Sequence, residues 1–171
     1  MMKTPERDRG LGKVADRLAR TLKRDALVKE TLDSLRSDFR CDRVALYYFY
    51  RRWKGQVTAE SLSLLRYSIY GSTGADDCFN DEYAQLYLEG RVRAIDNIET
   101  AELATCHRDF LRAIQVQANL VAPVLTEQGL WGLLAAHHCQ APRQWSAQDI
   151  DTIRAAAQRL ANAPSIRISA P

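Results

Sequence analysis

The stretch RVALYYFYRRWKGQVTAES, residues 43–61, decides the fold. Its first part, RVALYYF (43–49), is rich in β-branched and aromatic residues, and QVTAES (56–61) alternates after a basic turn closed by Gly55. Together they predict a β-hairpin. A second hairpin is predicted from NLVAPVL (119–125) and LWGLLAAH (130–137), joined by Glu127, Gln128 and Gly129. Pro123 within it requires a strand position that owes no donor to the ladder.

Working outward, the apolar residues Leu11, Val14, Ala15, Leu18, Leu22, Leu27, Val28, Leu32, Leu35 and Phe39 recur at threes and fours. That spacing predicts an amphipathic helix over 11–39 that needs a partner surface. The polar segment MMKTPERDRG (1–10) reads as a disordered leader. Between the hairpins lie a short helix over 81–88, a brief strand over 92–95 after Gly90, and a helix over 107–115. Ser146 and Asp149 introduce the last helix in the manner of a capping box, with Ile150, Ile153, Ala156, Ala157 and Leu160 on one face. Residues 164–171 read as an irregular tail or linker stub. The order helix, hairpin, mixed middle, hairpin, helix describes an antiparallel sheet flanked by helices, an α+β domain spanning 11–163.

The chain has 171 residues, 46% of them hydrophobic and 26% charged, which suits one soluble globular domain with a single core. No run approaches the roughly 18 apolar residues of a membrane span, and the N-terminus lacks a secretory signal, so the reading is cytoplasmic without membrane insertion. A net charge of +3 offers no nucleic-acid surface, and the basic run at 51–54 reads as a solvated turn.

The sequence lacks a glycine-rich phosphate loop, a nucleophile elbow and paired cysteine couplets with zinc spacing. His137, His138 and Cys139 are consecutive on a strand, where neighbours point to opposite faces and cannot converge on one metal ion. The four cysteines, 41, 78, 106 and 139, fit no secreted disulfide framework. Cys106 is followed by His107 and placed just before a helix, whose N-terminal dipole favours thiolate. A buried structural thiol is the alternative at that position. Asp76-Asp77-Cys78-Phe79 lies between a glycine-bearing loop and a helix, and a Cys beside a Phe is by itself ordinary core filling.

Taken in order, CDRVALYYFYRRWKGQVTAES (41–61), DDCF (76–79), EGRVRAIDNI (89–98), TCHRDFL (105–111) and NLVAPVLTEQGLWGLLAAHHCQAPRQW (119–145) resemble a cyanobacteriochrome GAF domain of the phytochrome superfamily. The resemblance covers roughly residues 30–160. It implies a GAF fold and a photoreceptor that covalently binds a linear tetrapyrrole (bilin), phycocyanobilin or phycoviolobilin. Cys106 then matches the cysteine that forms a stable thioether to ring A, and His107 the histidine against the pyrrole rings. Asp76, Asp77, Cys78 and Phe79 match the two-cysteine Asp-Xaa-Cys-Phe subgroup, in which the second thiol adds reversibly to the C10 methine carbon. Asp76 matches a carboxylate near the pyrrole nitrogens, Arg91 a propionate-binding arginine, and His137 a histidine on the ring D side. Tyr87 is a further pocket candidate beside a core-packing role. Residues 62–75 lack the tryptophan-rich motif of the red/green subgroup, in agreement with the two-cysteine assignment.

The resemblance also implies 15Z/15E isomerisation between a blue- or violet-absorbing and a green- or teal-absorbing form. The signal would pass to an output domain, with the end helices as linker or homodimer contact. Bilin attachment and bilin isomerisation would be autocatalytic, so the domain is not read as an enzyme. The competing reading is a GAF domain that binds a small molecule such as a cyclic nucleotide, or that senses redox state through its thiols.

Overall fold

The structure, a computed structural model, describes residues 5–73 and 79–169, with side chains from Gly12 onward. In chain order it contains α1 (Pro5–Arg24), α2 (Ala26–Phe39), β1 (Arg43–Arg51), β2 (Lys54–Leu62), a 3-10 turn (Leu65–Tyr67), α3 (Asp81–Leu88), β3 (Arg93–Ile95), α4 (Thr105–Ala113), β4 (Ala118–Thr126), β5 (Gly129–His138), α5 (Ala147–Ala161) and α6 (Pro164–Arg167). Both expected hairpins form, and β1 pairs with β5 to join them into a five-stranded sheet of order β2-β1-β5-β4-β3. Every pairing is antiparallel. The architecture is the α+β arrangement read from the sequence.

Strand alternation divides the sheet into two faces of different character. Val44, Leu46 and Tyr48 of β1, Leu134 and Ala136 of β5, and Leu120, Ala122 and Val124 of β4 point to one side. There they meet Leu18 and Leu22 of α1, Leu32 and Leu35 of α2, and Ile153 and Leu160 of α5 in the main core. The end helices thus bury much of their apolar face on their own sheet. The opposite face carries Arg43, Ala45 and Tyr47 and is covered only partly, by α3, α4 and the connections around them. A small second core of Ile95, Ile98, Leu111 and Val116 anchors α4 there.

Gly132 permits the close approach of β1 and β5, since a Cβ at that position would collide with the Tyr47 carbonyl oxygen. Pro123 is accommodated because β3 pairs with β4 only as far as Val121, so the ladder on that side has ended before the proline.

Three expectations change. The single helix read over 11–39 is two helices, because Asp25 leaves helical geometry and its carboxylate caps α2 by accepting from the Leu27 amide at 3.1 Å. Apolar periodicity could not register this, since the buried face continues across the break from Leu22 to Val28. Helix α1 also begins at Pro5, within the stretch read as leader. At the other end the tail contains α6, started by Pro164 in its first turn and tied to Asp25 through Ser165. The capping box of α5 is as expected, with Ser146 and Asp149 exchanging hydrogen bonds of 3.0 Å. Among the described residues, no helix is long and apolar enough to cross a membrane.

Candidate functional site

The open face of the sheet forms the floor of an apolar cavity that opens to solvent. Small side chains in register make the room: Ala45 of β1 is the direct partner of Ala135 of β5, which is the partner of Val121 of β4. One wall is aromatic, with Tyr47, Phe49, Trp53, Phe79, Tyr83 and Tyr87. Phe79 lies at its centre, 5.3 Å from Phe49 and stacked at 6.0 Å on Tyr87 with an interplanar angle of 11°. The wall is held from outside by Asp81 at the start of α3, which accepts from Trp53 Nε1 at 2.6 Å and from Arg52 Nη2 at 2.9 Å. A large apolar cavity with few polar groups suits a bulky, largely flat organic ligand.

On the sheet floor the polar groups form a transverse row. Arg43, His137 and Asn119 are direct cross-strand partners on β1, β5 and β4, so their side chains share the cavity face. His137 and Asn119 line the cavity, and Arg43 lies beneath them with no solvent exposure. Its three donor positions reach His137 Nδ1 at 2.9 Å, the Tyr67 carbonyl at 2.5 Å and the Ile114 carbonyl at 2.8 Å. Burial, and then the Arg43 charge, hold the His137 pKa well below its usual value, so the ring is neutral. His138, the next residue, points to the other face, where Nε2 is 3.4 Å from the Phe39 carbonyl. The alternation that argued against a metal cluster is realised.

Helix α4 brings the Cys-His pair to the cavity's edge. It starts at Thr105, two residues earlier than expected, so Cys106 belongs to its first turn rather than preceding it. Cys106 is exposed there and its sulfur is disulfide-bonded in this structure, a correction to its reading as a thiol, while the half-buried His107 ring lines the cavity. Burial, assisted by the Arg93 charge, depresses the His107 pKa to about 4. No acidic residue occupies the first turn, leaving the positive end of the helix dipole uncompensated beside Cys106. Arg108 fastens the helix by donating to the Ile98 and Ala101 carbonyls at 2.9 and 2.6 Å.

Of the other residues singled out by sequence, Tyr87 lines the aromatic wall, and Arg91 lies beside it with its guanidinium 5.4 Å from the Tyr87 ring centre. Arg91 does not line the cavity, yet its Nε and Nη2 are buried without a hydrogen-bond partner. Asp76 and Cys78 lie outside the described residues. The sequence reading missed Arg93, a cavity-lining cation on β3, and also Arg43 and Asn119. Arg93 stands two residues from Arg91 in the quoted EGRVRAI segment. Arg43 and Asn119 were visible only as polar residues opening otherwise apolar strands.

Comparison with known proteins gives this geometry a family. The GAF domain family matches residues 23–163. The chain is a GAF domain.

An uncharacterized protein of Picosynechococcus sp. is 54% identical over 154 residues, covering 90% of this chain and 94% of that protein. The circadian input-output histidine kinase CikA of Synechocystis sp. is 40% identical over 99 residues, which is 56% of this GAF domain and 13% of the kinase. Among solved structures, the blue-light-absorbing form of the Thermosynechococcus elongatus PixJ GAF domain superposes with a TM-score of 0.74 at 32% identity, covering 86% of this chain and 84% of that one. The phycocyanobilin-bound GAF domain of a cyanobacterial phytochrome superposes with a TM-score of 0.72 at 26% identity, covering 93% of each chain. This GAF domain is therefore similar to cyanobacteriochrome and phytochrome sensor domains.

Proposed function

We propose that this GAF domain is a photosensory module that carries a linear tetrapyrrole in the cavity on its open sheet face, attached through Cys106. The observation that carries the reading is the pairing of an open, aromatic-walled apolar cavity with a Cys-His dipeptide whose histidine lines it and whose cysteine is the exposed neighbouring residue. The polar groups support it. Arg91 stands beside Tyr87 of the aromatic wall with its guanidinium 5.4 Å from the ring centre, and a guanidinium fork suits a propionate carboxylate. The PixJ and phytochrome domains named for blue light and phycocyanobilin support it from outside.

In this reading the bound tetrapyrrole supplies light absorption and a double bond that isomerises. Once a cellular thiol reductant has opened its disulfide, Cys106 as the free thiol adds to ring A, the new S–C bond forming as the thiol proton passes to the tetrapyrrole. Neutral His107 lies against the pyrrole rings, Tyr87 packs on the aromatic wall, and His137 faces ring D. Cys78 adds in the same balanced way, and reversibly, to the C10 methine carbon, cutting the conjugation and moving absorption to the blue or violet. Asp76 accepts from the pyrrole nitrogens. Phycocyanobilin or phycoviolobilin is the pigment, the domain is not an enzyme beyond these self-modifications, and its working compartment is the cytoplasm. An output domain of a longer parent protein, of the kind that the kinase relative suggests, or a second copy paired through the end helices, receives the signal.

The test is to produce the chain in cells that make phycocyanobilin. A pigment that survives denaturation in the wild type and disappears in Cys106→Ala is expected. Cys78→Ala should lose the blue or violet form and keep a longer-wavelength adduct. A colourless wild type would return the domain to the small-molecule or redox-sensing class.

A further inference from the structure

His138, the last residue of β5, faces away from the cavity and into a junction of three elements. Its Nε2 lies 3.1 Å from Arg143 Nη1 and 3.4 Å from the Phe39 carbonyl oxygen at the end of α2. Arg143 Nη1 donates to the same carbonyl, while its Nη2 donates to Asp149 Oδ2 in the first turn of α5 at 3.1 Å. A guanidinium carries donors only, so a neutral His138 receives Arg143 on the Nε2 lone pair and keeps its proton on Nδ1. Trp145 packs against both groups, its ring edge-on to His138 at 5.7 Å and 4.5 Å from the guanidinium. The imidazole thus stands where one arginine ties the end of α2 to the start of α5.

Protonation reverses these relations. Nε2 becomes a donor, and the Phe39 carbonyl is the acceptor beside it. Imidazolium and guanidinium then face each other at 3.1 Å as like charges competing for one oxygen. Burial lowers the His138 pKa, the Phe39 carbonyl opposes it, Arg143 lowers it again, and the Asp42 and Asp149 carboxylates raise it. With the folded pKa depressed, what the neutral ring contributes is complete above the ordinary value and is lost as pH falls through the folded one. Asp42 is itself engaged by the Cys139 amide and the Gln140 side chain, both at 2.7 Å, and Asp96 by the Trp145 amide at 3.1 Å. The Cys41 and Cys139 thiols, pushed up to about 11 by burial, stay uncharged. His107, at about 4, and His137, held well below its ordinary value, stay neutral to lower pH, so His138 is the first of the three histidines to take up a proton.

We infer that His138 is a proton-operated latch between the end of α2 and the start of α5. As the neutral ring it receives Arg143 and leaves the arginine free to bridge Phe39 to Asp149. As the cation it takes the Phe39 carbonyl for itself and displaces Arg143. Asp149 keeps its Ser146 bonds, and Ile153 and Leu160 stay in the core, so acid loosens the first turn of α5 without unfolding the helix. The latch lies on the helical side of the sheet and works with or without a ligand in the cavity on the other face.

The experiment follows the full chain by nitrogen and proton NMR between about pH 8 and about pH 5, the range over which histidine charge changes. At the alkaline end His138 should be neutral with its proton on Nδ1. As the ring titrates, the Trp145 indole resonance should shift with the same midpoint. Protection of the Ile150 amide, which donates to the Ser146 carbonyl at 3.1 Å, should fall severalfold relative to the intrinsic exchange rate. His138→Gln cannot titrate and keeps an acceptor for Arg143, so it should hold both signals constant. Arg143→Met should move the His138 midpoint upward, because the neighbouring cation is gone. A ring that stays neutral to about pH 5, or that carries its proton on Nε2 when neutral, overturns the latch. So does a loss of Ile150 protection that persists in His138→Gln, or a His138 midpoint unmoved by Arg143→Met.

Discussion

Asp25 accepts hydrogen bonds from Ser165 at both its backbone nitrogen, 3.1 Å, and its hydroxyl, 2.6 Å, while capping α2 with its other carboxylate oxygen. One side chain therefore joins the break between the first two helices to the last helix of the domain. Burial alone would raise the Asp25 pKa, but the Ser165 and helix-cap hydrogen bonds outweigh it and the carboxyl titrates below its usual range. Asp25→Ala should cost about 1–2 kcal/mol in urea unfolding, the usual range for a lost helix cap. Amide exchange in α6 should rise more than in the sheet. A loss confined to α1 and α2, with α6 protected as before, would show that Ser165 does not depend on this link.

Arg143 forms the corresponding clasp at the far end of the sheet. It pairs with Asp149 at 3.1 Å, donates to the Phe39 carbonyl and lies 4.5 Å over the Trp145 ring. Both charged partners are largely buried, so this pair differs from the exposed pairs Lys29–Asp33 and Arg154–Asp151. Arg143→Met keeps much of the packing volume but leaves Asp149 with only its Ser146 capping bond and the Phe39 carbonyl without this donor, and should destabilise the domain by about 1–2 kcal/mol. Arg154→Met should change stability by less than about 0.5 kcal/mol. Equal effects of the two in chemical denaturation would contradict the distinction.

The neutral histidine of the Cys-His pair sets a pH dependence whose sign is fixed. His107 has a folded pKa of about 4, depressed first by burial and then by Arg93, against an ordinary value near 6.5. Below the unfolded pKa the unfolded chain takes up a proton that the folded one refuses, so stability is full above about pH 6.5 and declines toward pH 4. The upper bound is about 3 kcal/mol over that window, reduced by the partial exposure of the ring. His137 adds to the same trend, its pKa being depressed more strongly. In ligand-free protein, His107→Gln should flatten the decline in unfolding free energy between pH 6.5 and 4. An unchanged slope would mean that His107 ionises freely in the folded domain.

Local chemistry made both hairpins and the α5 cap readable from sequence: alternating apolar residues, Gly129 at the turn, and Ser146 three residues before Asp149. The break at Asp25 was not readable, because an N-cap inside a continuous apolar stripe leaves the periodicity intact. In the site, Cys106, His107, His137, Tyr87 and Arg91 were found through motif resemblance, and the structure gathers His107, His137 and Tyr87 around one cavity. Arg43 and Asn119 escaped because their meaning lies in register. Nothing near Arg43 in the chain indicates that its partner is 94 residues away on β5. The aromatic wall escaped for the same reason, since Phe49, Trp53, Phe79 and Tyr87 come from β1, the following turn, and the loop and helix beyond.

That wall offers a way to separate ligand handling from folding. Trp53 sits in the left-handed region at φ 56°, an unfavourable conformation for an aromatic residue, and its indole nitrogen is held by Asp81 at 2.6 Å. Arg52 pairs with the same carboxylate, but both charges face solvent, so the ion pair adds little to stability. What Asp81 provides is the orientation of Trp53 against Phe49 and Phe79, whose ring centres lie 5.5 and 5.7 Å away. Asp81→Ala should leave the ligand-free thermal midpoint close to wild type. It should slow phycocyanobilin uptake severalfold and broaden the absorption band, because the wall is no longer fixed before the ligand arrives. Trp53→Gly relieves the strained backbone but removes the ring, and should reduce uptake further while preserving or raising the ligand-free midpoint. If both variants load pigment at the wild-type rate with unchanged bands, the Asp81–Trp53 contact is a surface feature without a part in shaping the cavity.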